Sequence, residues 1–419
     1  MKTDAALASR LRGLLDRDRA LDLLKGAVAR RSVTGEEKNF VDYLEGRMRA
    51  LGLAPELQDF LSGRPNVWGE RKGSSRGKRL LFIGHTDTVH VRGWAERWAG
   101  TEREDPFGGA IVDGEIWGRG SGDLKAGISA ALAALELLDK AGIRLAGDVA
   151  FAFVGDEESG EPGLGHSAGI KDFARRVAAG EIARPDFAIY VEPTRLSVFP
   201  AQMGFFIADI TVTGKSAYFG VPEQGVDALR AMHDVLAAIW RHSDAISARA
   251  SHELVGRAFV LVTEIAGGGY IAVPGECRIS LIRKLLPGES LDEAVRALEE
   301  IVRDAARRDG ISVEIGYPAG RDHTHGGSPT EINADRPEIA LLSAALDAAL
   351  PGRGLIEGAP YWSEAPFLIN GIGCPAVYCA PGDITNCHTL EERVNVDEYL
   401  AGIVAFALFI AGYCGIASS

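Results

Sequence analysis

Cysteine is scarce and shows no pairing pattern: there are five in 419 residues, at 277, 374, 379, 387 and 414, with no CxxC. That argues against a disulfide framework or a thiolate metal site, and the five read as reduced, packed thiols of a cytoplasmic protein. Positive charge is also in short supply. Lys and Arg number 45 against 58 Asp and Glu, and no basic arm interrupts a formal charge of −13, so nucleic acid is not an expected partner. The charged, helix-patterned stretch Met1 to Lys25 has no apolar core, so no secretory leader is expected. Long uncharged runs are nearly absent. The exception, Tyr399 to Ala417, lasts 19 residues and reaches the length of a membrane span. Its Ala and Gly content, its single basic neighbour Arg393 and the capping pair Asn395/Glu398 instead predict a buried closing helix, with no membrane partner. No internal repeat or low-complexity tract occurs.

Hydrophobic residues at 46% and charged residues at 25% describe a globular chain, long enough for two domains. Helical periodicity covers Ala20 to Arg30 and Glu36 to Leu51, with short extended stretches near Leu57 and Asn66. The runs RLLFIG (79–84), DVAFAFV (148–154) and DFAIYV (186–191) read as strands buried on both faces, with an Ala/Leu helix from Lys125 to Leu138 between the first two. This alternation predicts an α/β domain: a mainly parallel sheet with helices on both faces. After Pro200 the pattern changes to β-α-β-β-α-β: strands at 205–213, 258–265, 278–285 and 311–315, helices at about 225–242 and 290–308. The expectation is an inserted α+β domain, 203–318, within a catalytic domain made of 1–202 and 319–419.

The ends of the buried strands carry the chemistry. His85 in GHTDT follows the first strand, where sites lie in open α/β sheets, and offers an imidazole to a metal. Asp87 is spaced to hold that imidazole's other nitrogen. The glycines of GRGSGDLK let the backbone turn sharply and bring Asp123, whose two oxygens can bridge two ions, close to a metal. Asp156, Glu157 and Glu158 end the next strand; adjacent carboxylates repel unless cations or shared protons relieve them, and one Glu can bind metal while its neighbour acts as base. Glu192 ends YVE, and His388 lies in NCHT near the C-terminus. Each residue alone is an ordinary structural feature. Together they deliver imidazoles and carboxylates to one sheet edge, a donor set suited to Zn, Mn or Co, one or two ions per subunit.

GHTDTV, DPFGG, DGEIWGRGSGDLKAG, DEESG, YVEPT and CHTLEERV, in that order, resemble the motifs of the M20 metallopeptidase family of aminoacylases, acetylornithine and succinyl-diaminopimelate deacylases, and carboxypeptidases. The resemblance implies metal ligands His85, Asp123 as the bridge, Glu158, Glu192 and His388. It also implies that Asp87 orients His85, that Glu157 is the general base, and that the inserted domain acts as a lid and pairs subunits into a homodimer or larger homo-oligomer.

Three positions depart from the family pattern. Tyr218 stands where the inserted domain usually supplies an oxyanion-stabilising His, Ile271 stands for an Asn, and Lys284, beside Arg283, stands for an Arg. Losing an oxyanion donor costs about 10²–10³ in rate on a carbonyl substrate. In these departures the chain resembles a member of the family with an unusual substrate, and that resemblance implies hydrolytic deamination of 5-nitroanthranilate to 5-nitrosalicylate and ammonia, a step of aromatic degradation. Tyr218, Phe219, Tyr270, Tyr361 and Trp362 would line an aromatic slot, and Arg119, Arg283, Lys284 or Arg321 would meet the substrate carboxylate. The alternatives are an N-acyl amino acid deacylase or dipeptidase and, more remotely, a non-catalytic binding protein. A serine-hydrolase reading of GHSAG at Gly165 to Gly169 requires a buried strand directly before Ser167, where SGEPGLG reads as a loop. A dinucleotide site fails on glycine spacing.

Overall fold

Three apolar strands follow the expected alternation and form the centre of a sheet. The computed structural model of the protein describes residues 5–75, 77–158 and 163–417. Arg79–His85 lies between Asp148–Val154 and Phe187–Tyr190, parallel to both, and Ala376–Tyr378 extends the parallel set on the far side of Phe187–Tyr190. The sheet continues antiparallel on the other side through Arg64–Arg71 and Glu56–Leu61, a hairpin whose turn places Gly63 at φ 73°. Left-handed backbone there suits a residue without Cβ. Register aligns His85 with Val154 and Ile83 with Tyr190, so neighbouring strands finish at nearly the same level.

Helices cover the sheet through Ala- and Leu-rich faces. Ala126–Lys140 is buried over most of its length and packs against Val396–Cys414, which also packs against Pro337–Ala349. Val396–Cys414 is the one described helix long and apolar enough to cross a membrane, and 83% of its most apolar window is buried inside the chain. It starts as expected, with the Asn395 side chain accepting the N–H of Glu398.

The chain divides into two compact units: Met1–Pro200 with Ile332–Gly358 and Ser363–Ser419, and Ala201–Glu331 with Ala359–Trp362. The second unit is an antiparallel sheet in the order Phe259–Gly267, Glu276–Leu285, Gly204–Thr213, Ser312–Gly316. Helices Ala228–Arg249 and Leu291–Ala305 cover one face of it. Strict alternation in Gly204–Thr213 places Phe206, Ala208, Ile210 and Val212 in that core with Met232, Ile239, Leu298 and Val302. The first helix runs past the expected end at 242 to Arg249 because Ile246 continues its buried stripe. Of the expected loop 159–165, residues 159–162 lie outside the described residues; 163–165 are irregular, with no strand before Ser167.

Candidate metal centre

His85 is the last residue of Arg79–His85, and its ring is fixed from behind: Nδ1 lies 2.9 Å from the backbone oxygen of Asp87. Donation of Nδ1–H to that oxygen directs the Nε2 lone pair outward, towards Asp123 Oδ1 at 3.0 Å and Glu192 Oε1 at 3.7 Å. The second oxygen of Asp123 lies 3.2 Å from His388 Nε2, which is 2.9 Å from Glu158 Oε1. His85, Asp123 and Glu192 therefore form one compact donor group, Asp123, Glu158 and His388 a second, and Asp123 is common to both. Glu157 stands beside them with its carboxylate within 4.8 Å of donor atoms of His85 and Glu158.

This donor set fits divalent cations. Nitrogen and oxygen lone pairs face each other at about hydrogen-bond distance, an arrangement that needs a proton or a cation between them. Among the protein groups alone, the proton takes that part. Burial opposes the charged form of His388, but its bonds to Asp123 and Glu158 outweigh burial and push it up to about 11. Burial, reinforced by neighbouring carboxylates, raises Glu157 and Glu192 well above the usual carboxylate range. Burial also works against ionised Asp123, yet the two imidazoles hold it below that range.

Asp87 acts differently from the expectation. Its carboxylate is 3.9 Å from His85 Nδ1 and is occupied elsewhere, accepting the backbone N–H of Glu157 at 3.2 Å and of Glu158 at 2.8 Å and the Thr34 hydroxyl at 3.1 Å. The backbone of Asp87 thus orients the imidazole, and its side chain pins the turn that carries the two glutamates. Asp156 points away from this cluster. At φ 74° it meets Arg64 and accepts the N–H groups of Gly165, His166 and Ala168.

Directly after Tyr361 and Trp362, the buried residues Ser363 and Glu364 carried no expectation of their own. Ser363 donates to Glu192 Oε1 at 2.7 Å, and the Tyr190 hydroxyl donates to Glu364 at 2.8 Å. A glutamate inside the apolar run APYWSEAPFLIN is the signal that points to this pair. Burial pushes the Glu364 carboxyl from its ordinary 4.5 up to about 8. The folded state therefore keeps a proton between pH 4.5 and 8 that the unfolded chain releases, and this group's contribution to stability falls as pH rises through that window. Glu364→Gln removes the titration. Denaturant unfolding should show the variant gaining on the wild type from pH 5 to pH 8 by on the order of a few kcal/mol, while Glu364→Ala, which strands the Tyr190 hydroxyl, should cost about 1–3 kcal/mol. An identical pH profile for wild type and Glu364→Gln would refute the buried-acid assignment.

The residues expected to meet a substrate carboxylate separate by face. Arg119 is 2% exposed and fully engaged: it pairs with Glu392 and donates to the backbone oxygens of Thr389 and His90. That position contradicts a substrate contact. Arg283 and Lys284 alternate across the sheet of the second unit. Arg283, opposite buried Val260, lies on the helix side and pairs with Glu289, which likewise removes it from a substrate role. Lys284 lies on the open face opposite Phe259 and donates to the Val255 oxygen. Tyr218 and Phe219 pack on each other at the surface, 62% and 58% exposed, and Tyr270 is 93% exposed, so no enclosed aromatic slot forms among them. Trp362 packs edge-on against Phe205 within the same unit.

A further group, Asp292, His323 and His325, sits in the second unit. His323 Nδ1 accepts the His325 N–H at 3.2 Å, so the ring proton sits on Nε2, 3.2 Å from Asp292. This is a closed hydrogen-bonded pair rather than an open ligand set.

Known proteins resemble this chain over most of its length. The sequence model of Peptidase family M20/M25/M40 matches residues 81–412. An acetylornithine deacetylase of Myxococcus xanthus is 27% identical over 384 residues, 90% of this chain and 92% of that protein. A succinyl-diaminopimelate desuccinylase of Cupriavidus necator is 32% identical over 395 residues, 90% of this chain and 94% of that protein. A solved dinuclear metal-binding peptidase of family M20 from Bacillus subtilis shares the fold with a TM-score of 0.65 at 13% identity, covering 95% of this chain and 98% of that one.

Proposed function

We propose a substrate class for this chain from the premise that it belongs to Peptidase family M20/M25/M40 and is a metal-dependent hydrolase of carbon–nitrogen bonds. The bond is an acyl amide on a small amino acid, and the reaction is N-deacylation. Relatives that span nine-tenths of the chain are named for removing an acetyl and a succinyl group, and that full-length likeness carries the reading. Deamination of 5-nitroanthranilate is the second reading. It rests on Tyr218, Ile271 and Lys284, and the first two stand more than half exposed.

In this reading His85, Asp123 and Glu192 hold one divalent ion and Asp123, Glu158 and His388 hold another, with Zn, Mn or Co suited to nitrogen and oxygen donors. Bound there, the ions would supply Lewis-acid stabilisation for charge developing on the amide oxygen and lower the pKa of the attacking water. Glu157 takes the proton from that water and returns it to the leaving nitrogen. Asp87 keeps Glu157 and Glu158 in register through their backbone N–H groups. Ser363 holds Glu192 through its hydroxyl, and the neighbouring Glu364 is held by the Tyr190 hydroxyl.

The deciding assay supplies metal and offers N-acetyl and N-succinyl amino acids alongside 5-nitroanthranilate. Acetate or succinate release without ammonia is the expected result; ammonia release from the nitroaromatic alone would overturn deacylation. The reduced thiols support a cytoplasmic location: the five cysteines are free and buried.

Pairing of two chains through the second unit is part of the same reading. Its edge strand Phe259–Gly267 leaves Leu261 and Ile265 more than half exposed, an open hydrogen-bonding row with an apolar face. A dimer is expected by analytical ultracentrifugation, and Leu261→Glu with Ile265→Glu should convert it to a monomer; an unchanged sedimentation profile would remove that surface from consideration.

A further inference from the structure

We propose that Glu392, held by Arg119, is the positioning residue that sets Asp123 against His388. Glu392 is fully buried. Its Oε1 accepts two consecutive backbone N–H groups, Gly122 at 3.1 Å and Asp123 at 3.0 Å, and its Oε2 meets the Arg119 guanidinium. The backbone oxygen of Glu392 also accepts the Gly118 N–H at 3.2 Å. Arg119 then reaches the next loop, donating to the oxygen of Thr389, directly after His388, at 3.0 Å, and to the oxygen of His90 at 3.2 Å. One ion pair therefore ties the turn that carries Asp123 to the loop that carries His388.

Neither turn is set by regular secondary structure. Asp123 has φ −119° and ψ 93°, outside helical values, just before Ala126–Lys140, and His388 sits at φ 61°, a left-handed conformation uncommon for a residue with Cβ. The packing is equally close: a Cβ on Gly122 would meet Cys387 Sγ at 3.3 Å. A carboxylate suits this place because one oxygen can accept both amides while the other faces a cation. Glutamine would turn its NH2 towards either the amides or Arg119, two donors against donors. Loss of the clamp leaves the ligands present but misplaced, and shells of this kind are worth about 10–100-fold in metal affinity.

The inference rests on the metal-centre reading above. Its test measures metal binding by the full chain, with Glu392→Gln as the deciding variant and Glu392→Ala beside it. Apo-protein is titrated with Co²⁺ while its visible absorption is followed, and with Zn²⁺ against a chromophoric chelator. Expected are binding of the weaker ion reduced about 10–100-fold, an altered Co²⁺ spectrum, and a kcat that falls with little change in KM and recovers as metal is raised. Wild-type affinity and spectrum in a folded Glu392→Gln protein would overturn the proposal, whatever its thermal stability. If the wild type itself binds no metal and works under chelation, the underlying metal-centre reading fails instead.

Discussion

Glu157→Gln is expected to lower kcat by about 10²–10⁴-fold, the contribution typical of a positioned general base, while the protein still binds its divalent cations. Glutamine matches glutamate in size and cannot take up the water proton. The backbone at this point is held independently of the side chain, through the N–H of residue 157 on Asp87, so the substitution leaves the turn in place. Burial and the neighbouring Glu158 carboxylate raise the Glu157 pKa, the direction that makes a carboxylate a stronger base near neutral pH. The sign for activity follows: the base works only when deprotonated, so wild-type kcat/KM should fall on the acid side as Glu157 takes up its proton. The residual rate of the variant should lack that limb. Steady-state kinetics with metal content measured in parallel provide the check. A variant within tenfold of wild type at full metal occupancy would remove Glu157 from the base role.

Asp123→Ala should abolish activity and metal binding together, because Asp123 offers one oxygen to each imidazole, at 3.0 Å from His85 and 3.2 Å from His388. The expected series is graded. By elemental analysis after dialysis into limiting metal, wild type retains the ions of both groups, Glu192→Ala and His388→Ala each lose the ion of one group, and Asp123→Ala loses both. Stability should follow binding. A ligand at 100 times its Kd stabilises the native state by about 2.7 kcal/mol, so added metal should raise the Tm of wild type and leave that of Asp123→Ala nearly unmoved. His388→Ala should also lower the stability of the apo-protein near neutral pH, because the protonated imidazole there bonds the buried Asp123 and Glu158 carboxylates. An Asp123→Ala protein that kept the wild-type metal content would sink the shared-ligand arrangement.

The strand ends were legible because their signal is local. An apolar run such as RLLFIG is short enough to be a strand and too uniform to face water, and whatever follows it must emerge at the sheet edge. His85, Glu157, Glu158 and Glu192 were placed at that edge by this argument alone. The closing helix was legible in the same way, from a capping residue and an uncharged run. The partners of buried charges were not legible. Arg119 is as basic in the sequence as any surface arginine, and only Glu392, 273 positions away, shows that it faces inward. Arg283 and Lys284 are neighbours whose roles separate when strand pairing assigns one to the helix side and the other to the open face.

From the sequence alone came the fold class, the order of the elements and the types of donor atom available at the sheet edge, since periodicity and strand-end chemistry act over a few residues. Which oxygen meets which nitrogen was decided only in three dimensions. Asp87 bonds the Glu157 and Glu158 amides across more than sixty residues, and Glu392 holds the Asp123 turn from the far end of the chain. Hydrogen bonds are satisfied at distances of about 3 Å set by register and packing, and nothing in local composition specifies which remote group will complete them.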